Sequence, residues 1–307
     1  MKLVTFSQNQ ILKIGILFQE TKVIDLIAAY KLYNSEKRDL AFEMPNNMID
    51  LLNTGEVGIK AAQKIFNFTK KIHDSEPQKL NRIVYGIEQV KIKAPILNPK
   101  KIICLGLNYY DHAAEAGLKT PDRPILFSKP ATTIIGPEEP VIYPKISKKV
   151  DYEVELAVVM GKTGREIPES KAYDYVAGYT VFNDISARDI QFSDGQWFRG
   201  KSFDTFAPIG PCLTLKEQIP DPQNLKMQMK VNGEIMQDSS TKNMVFKIPY
   251  IISFISDVMT LEPGDIIATG TPSGVGVYKK PEPRLLKVGD VMEAYVEKIG
   301  VLRNPVK

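Results

Sequence analysis

A chain of 307 residues with 43% apolar side chains can bury the core of one large or two ordinary domains, which excludes a disordered polypeptide. Forty Lys and Arg against thirty-six Asp and Glu leave a net charge of +4, too small a surplus over this length to indicate a nucleic-acid binder. Two histidines and two distant cysteines, Cys104 and Cys212, cannot assemble a zinc-type cluster or a disulfide framework, so a bound metal must take mainly oxygen ligands.

Residues 2–24 predict three short strands, Lys2–Phe6, Leu12–Phe18 and Lys22–Ile24, with polar turns such as Ser7 to Gln10 between them. From about 25 to 72 the pattern is helical, most clearly from Val57 to Ile72, where Ile59, Ala62, Ile65, Phe66 and Ile72 recur at three- to four-residue spacing. Most of the basic excess lies within 60–100 and reads as the wet face of this stretch. Residues 73–100 combine two alternating runs with Pro77, Pro95 and Pro99, which suits an extended crossover better than a helix. We therefore divide the chain into an N-terminal α+β domain (1–75), a linker (76–99) and a larger domain (100–307). Beyond 100, apolar strand-like pieces alternate with Gly and Pro: KIICLGL, PILFSK, ELAVVMG, AGYTVFND, APIGPCLTL, KMQMKVNG, DIIATGT and VMEAYVEKIGVLRN. This spacing predicts a β-rich domain with few helices, and α+β as the class of the whole. Met1 to Gln8 lacks the apolar region of a signal peptide, and no run of about 18 apolar residues occurs. We expect a protein that is neither exported nor membrane-spanning, with both cysteines buried and a reducing cytoplasm as its compartment.

Five segments of the larger domain bear on chemistry. In Leu107–Gly117, a short helix from Asp111 to Ala116 closed by Gly117 would bring His112 and Glu115 together at i,i+3. The pair reads either as a surface pair or as an imidazole made basic by a carboxylate, on a segment able to act as a lid. Asp151, Glu153 and Glu155 alternate along a strand and so share a face. They are either a solvated strand end or a set of buried carboxylates that demands a compensating cation. Asp184 follows the strand Val176–Phe182, where it either caps the next turn or faces a site. Two carboxylates from one strand and one from another would suit Mg²⁺ or Mn²⁺ and tolerate Ca²⁺. Gly195 to Ser202 matches the phosphate-loop expression literally, but its middle positions are bulky and a Pro- and Gly-containing run follows, so nucleotide binding is not expected. Lys201 within it remains a candidate cation facing an oxyanion. Ile266–Gly276 is a strand running into a Gly-rich turn, which either merely reverses the chain or presents amides and the Thr271 hydroxyl to a carboxylate.

Taken in order, GLNYYDHAAEAG, FSKPATTIIGP, DYEVELAVVMGK, NDISARDIQ, GQWFRGKSFDTFAPIGP and EPGDIIATGTPSGVG resemble the fumarylacetoacetate hydrolase family, in its acylpyruvate hydrolase and hydroxyheptadienedioate isomerase branch. The resemblance covers about 98–307 closely. It implies a mixed β-sandwich roll preceded by a smaller α+β domain, with Glu153, Glu155 and Asp184 as metal ligands and Asp151 behind them. It further implies His112 and Glu115 as a water-activating pair, Lys201 as the lysine beside the metal, and Arg188, Gln191 and Thr271 near the substrate. The implied activity is Mg²⁺-dependent hydrolysis of a C–C bond in an acylpyruvate-like 2,4-dioxo acid, as in aromatic catabolism. Hydroxyheptadienedioate isomerisation, tautomerisation or oxaloacetate decarboxylation on the same scaffold is the alternative. A homodimer acting on a small oxo acid, with neither nucleic acid nor membrane as partner, completes the expectation.

Overall fold

The computed structural model describes residues 1–38, 40 and 42–307. Its first strands, β1 (Lys2–Gln8), β2 (Ile11–Phe18) and β3 (Lys22–Asp25), lie where the alternation put them. Asn9 and Gln10 take positive φ, 50° and 66°, forming a two-residue turn whose twist matches that of the strands it joins. Asp25 ends β3 and starts α1 (Leu26–Lys37), its Oδ1 accepting from the amides of Ile27 and Ala28. Asn47 caps α2 (Met48–Asn53) in the same way. In α3 (Glu56–Ser75), Ala62, Ile65 and Ile72 are buried while Lys60, Lys64, Lys70 and Lys71 are exposed. Within 76–99 stand two three-residue strands, β4 (Val84–Gly86) paired with β3 and β5 (Lys91–Lys93) paired with β1.

The chain continues through β6 (Ile102–Gly106), α4 (Tyr110–Glu115), β7 (Ile125–Ser128), β8 (Ile134–Ile135), β9 (Val150–Asp151), β10 (Val154–Met160) and β11 (Val176–Asn183). There follow β12 (Ser186–Ala187), α5 (Arg188–Ser193), α6 (Phe198–Lys201), β13 (Ala207–Leu215), β14 (Lys226–Val231) and β15 (Glu234–Ser240). The last elements are α7 (Ile248–Ser256), β16 (Ile266–Ala268), β17 (Val291–Val296) and β18 (Gly300–Pro305). Among those that escape the sequence reading are β15 and α7. β15 is polar and forms because Asn232 and Gly233, at φ 53° and 81°, turn the chain back onto β14. α7 is a short apolar run that periodicity alone does not separate from a strand, although Pro249 in its first turn suits a helix start.

The main sheet runs β4-β3-β2-β1-β13-β11-β10-β16-β6-β7, and β14, β15, β17 and β18 form a second, four-stranded sheet. Most pairings in the main sheet are antiparallel, but β16 pairs β6 in parallel, so the sheet is mixed and the class is α+β, rich in β. In β10 every side chain is buried, and alternation divides them. Leu156, Val158 and Met160 join a core with the second sheet and α7, whereas Ala157 and Val159 join a core with α1, α2 and α3. Leu3 of β1 registers with Leu213 of β13, which makes the N-terminal strands part of the main sheet. Among the described residues no helix is long and apolar enough to cross a membrane.

Candidate active site

The register of β10 with β11 builds the acidic cluster. Glu155 stands opposite Phe182, and one step beyond the ladder the Asp184 amide donates to the Glu153 carbonyl at 2.9 Å. Glu153 and Asp184 therefore face each other across the strands, with Glu155 two residues along the same side. Relative exposure is 5% for Glu153, 1% for Glu155 and 0% for Asp184, which removes the solvated strand end as a reading. One oxygen from each lies within 4.8 Å of the others. Asp184 caps nothing: α5 begins after Ala187 without a side-chain cap.

Three buried cations answer these acids. Arg188 donates from Nε to Asp151 Oδ2 at 2.9 Å, from Nη2 to Glu153 Oε1 at 2.6 Å and from Nη1 to Gln191 Oε1 at 3.0 Å. Lys201 Nζ bridges Glu153 Oε2 and Asp184 Oδ2 at 2.5 and 2.6 Å. Lys129 Nζ holds the other oxygen of Asp184, Oδ1, and also the Ile185 carbonyl at 3.1 Å. Burial opposes the charge on Glu153, but Arg188 and then Lys201 outweigh it and hold that carboxyl well below the usual carboxylate range. Glu155 goes the other way: burial first, then the charges of Asp184 and Glu153, push it well above that range. Its only hydrogen-bond donor among the described residues is the Gly270 amide, at 2.8 Å.

The Gly-rich turn after β16 does more than reverse the chain. Gly274 donates to both oxygens of Glu115, at 2.9 and 3.0 Å, while Gly276 and Val277 donate to Asp151 at 2.7 and 3.0 Å. Gly274 sits at φ +100°, and a Cβ there would fall 2.2 Å from the Met236 carbonyl oxygen, so only glycine fits. Thr271 Oγ1 donates to the Val154 carbonyl and accepts from Gln237 Nε2. His112 lies on α4, which spans Tyr110–Glu115, one residue earlier than expected. His112 Nδ1 is 3.6 Å from Glu115 Oε2, too far for a hydrogen bond, and this buried nitrogen has no hydrogen-bond partner among the described residues.

One cavity of about 100 Å³ gathers His112, Glu153, Glu155, Arg188, Gln191, Lys201 and Thr271. Of the expected site residues, Glu115 and Asp184 stand behind its wall, bonded to Gly274 and to Lys201 respectively. Lys201 ends a four-residue helix with its ammonium buried among carboxylates, so the phosphate-loop match has neither the following helix nor the free lysine that a phosphate requires. Sequence reasoning missed Lys129, although it lies in the quoted FSKP segment, because a lysine after a strand carries no local sign of its partner. It also missed Trp197, Phe127 and Tyr278 as cavity neighbours.

The residues fit a hard divalent cation. All donors are carboxylate oxygens, they converge from two strands, and Glu155 lacks a cation partner among the described residues. Four buried carboxylates, counting Asp151, face three buried cations, so with all four ionised a divalent ion leaves a local surplus of one positive charge, as an anionic ligand needs.

A family model described as "Fumarylacetoacetate (FAA) hydrolase C-terminal" matches residues 101–307. The mitochondrial oxaloacetate tautomerase of Xenopus laevis is 44% identical over 265 residues, which cover 86% of this chain and 79% of that protein. A 2-hydroxyhepta-2,4-diene-1,7-dioate isomerase from Mycobacterium marinum superposes with TM-score 0.73 at 31% identity, over 100% of this chain and 98% of that one. A fumarylacetoacetate hydrolase from psychrophilic Exiguobacterium antarcticum superposes with TM-score 0.76 at 34% identity, over 100% and 99% of the two chains.

Proposed function

Because the chain belongs to the fumarylacetoacetate hydrolase family of enzymes, we propose that it enolises a small 2-oxo acid, with keto–enol tautomerisation of oxaloacetate as its reaction. The observation that carries this reading is that an ammonium (Lys201), an imidazole (His112) and two acids of the cluster, Glu153 and Glu155, line one cavity of about 100 Å³, small beside the roughly 300–1,000 Å³ of sites for drug-sized ligands. The tautomerase relative supports it.

Glu153, Glu155 and Asp184 are the residues to hold a divalent ion, with Mg²⁺ the best fit and Mn²⁺ or Ca²⁺ able to substitute. When bound there, such an ion supplies a Lewis acid for the substrate's carboxylate and 2-oxo oxygens. Lys201 places a fixed positive charge where the 2-oxo oxygen gains negative charge. His112 takes the proton from C3, the C–H electron pair becomes the C2–C3 double bond, and the 2-oxo oxygen is protonated in turn. Arg188 and Gln191, locked to each other and to the cluster, orient the acid, and Thr271, held by Val154 and Gln237, shapes the cavity beside them. The small oxo acid and a second copy of the chain are its partners on this reading, with no nucleic acid or membrane.

A second reading, hydrolysis of an acylpyruvate, draws on Glu115 lying 3.6 Å from His112. Approach of that carboxylate would let His112 take a proton from water attacking the 4-oxo carbon, with the C3–C4 bond breaking to give pyruvate and a carboxylate. The test is an assay with Mg²⁺ on oxaloacetate, acetylpyruvate and hydroxyheptadienedioate, following enol absorbance and pyruvate separately. Faster loss of the oxaloacetate enol than in buffer is expected. Pyruvate from acetylpyruvate without that acceleration would replace the tautomerase reading by the hydrolase one.

A further inference from the structure

The cavity wall opposite in character to the acids is built around Trp197, the one tryptophan in the sequence. It directly precedes α6, and the Lys201 amide donates to its carbonyl at 3.1 Å, so the two residues are one helical turn apart on the same side. That single turn aims the ammonium at Glu153 and Asp184 and lays the indole along the cavity. The indole meets Phe127 edge to face, with centroids 5.4 Å apart at 76°, and the Phe127 ring in turn has Lys201 Nζ 5.1 Å from its centre. It also lies against Gly106 at the end of β6. A Cβ there would fall 2.0 Å from Cζ3 and 2.4 Å from Cη2 of the indole. Gly106 does not carry the positive φ that would demand glycine, so what it provides is room for this ring.

We propose that Trp197, seated on Gly106 and braced by Phe127, is a specificity-determining stop that restricts the enzyme to 2-oxo acids with a short chain beyond C3. The inference rests on the 2-oxo acid reading of the site and adds the substrate's length. A longer chain must displace the indole from its contacts with Gly106 and Phe127, and each extra methylene that an apolar wall refuses is worth about 10–200-fold in discrimination.

The test is calorimetry with Mg²⁺ on oxalate, oxaloacetate, 2-oxoglutarate and 2-oxoadipate, for the wild type, Trp197→Ala and Gly106→Ala. In the wild type, affinity is expected to fall at least tenfold for each carbon beyond four. In Trp197→Ala the ratio of 2-oxoadipate to oxaloacetate affinity is expected to rise at least tenfold, with Mg²⁺ binding measured alone as the sign of an intact cluster. In Gly106→Ala the same ratio rises and the single-tryptophan emission moves to longer wavelength as the ring is expelled into water. A length profile unchanged in Trp197→Ala that still binds Mg²⁺ would overturn the stop while leaving the 2-oxo acid reading in place. Failure of the wild type to bind oxalate or any of the acids would sink both.

Discussion

Glu155 decides how the buried cluster behaves without its ion, because its carboxyl is pushed far above the usual range, by burial and then by Asp184 and Glu153. The folded protein then holds a proton that the unfolded chain would release. The stability this gives is complete below the ordinary carboxylate pKa and is lost as pH rises through the raised value. A divalent ion replaces the proton, so the rise in Tm on adding Mg²⁺ is expected to grow from acid to alkaline pH; a rise that stays constant across pH would count against the assignment. Glu155→Gln keeps an acceptor for the Gly270 amide and removes the repulsion. Metal affinity is expected to fall by more than the roughly 10–100-fold typical of changes outside the ligand set, while metal-free Tm holds or rises; titration calorimetry and thermal melts check both. Arg188 is the opposite case, since two buried carboxylates depend on it. Arg188→Met is expected to destabilise by about 3–5 kcal/mol in urea denaturation, because Asp151 loses its buried cation and Glu153 keeps only Lys201.

At the scale of elements, the turn after β16 is what ties the site together. Its amides reach Glu155, Glu115 and Asp151, three acids that stand on different segments of the chain. Gly274→Ala would drive a Cβ against the Met236 carbonyl at a φ that L side chains rarely adopt. The expected outcome is a loss of about 1–3 kcal/mol in stability together with a drop in kcat, as Glu115 loses its anchor. A kcat unchanged in a destabilised variant would show that Glu115 has no part in turnover. The two short helices α5 and α6 have a comparable task, for they bring Arg188, Gln191 and Lys201 back onto the strands that carry the acids.

At the scale of the whole molecule, the N-terminal strands complete the main sheet through the pairing of β1 with β13, and α1 to α3 cover a core that includes Leu213, Ile209 and Val159. A chain beginning at residue 98 would expose that face. It is expected to melt at lower temperature and to bind a hydrophobic dye that the full chain excludes; an equal Tm would mean that residues 98–307 fold without it. Strands and α3 were legible in the sequence because periodicity is local, as Leu156 and Val158 against Ala157 and Val159 illustrate in β10. β15 was not, because its pairing with β14 rather than its own pattern makes it a strand.

By itself the sequence determined that any metal must take oxygen ligands, since it lacks the Cys and His for another site, and that Glu153 and Glu155 share a face, since a strand alternates. Tertiary structure alone decided that these acids are buried rather than solvated, that Asp184 joins them rather than capping a helix, and which cations answer them. Lys129 reaches Asp184 across 55 residues and the Gly276 amide reaches Asp151 across 125. Desolvation and charge pairing depend on which distant segments close over a side chain, and only the completed fold brings those segments together.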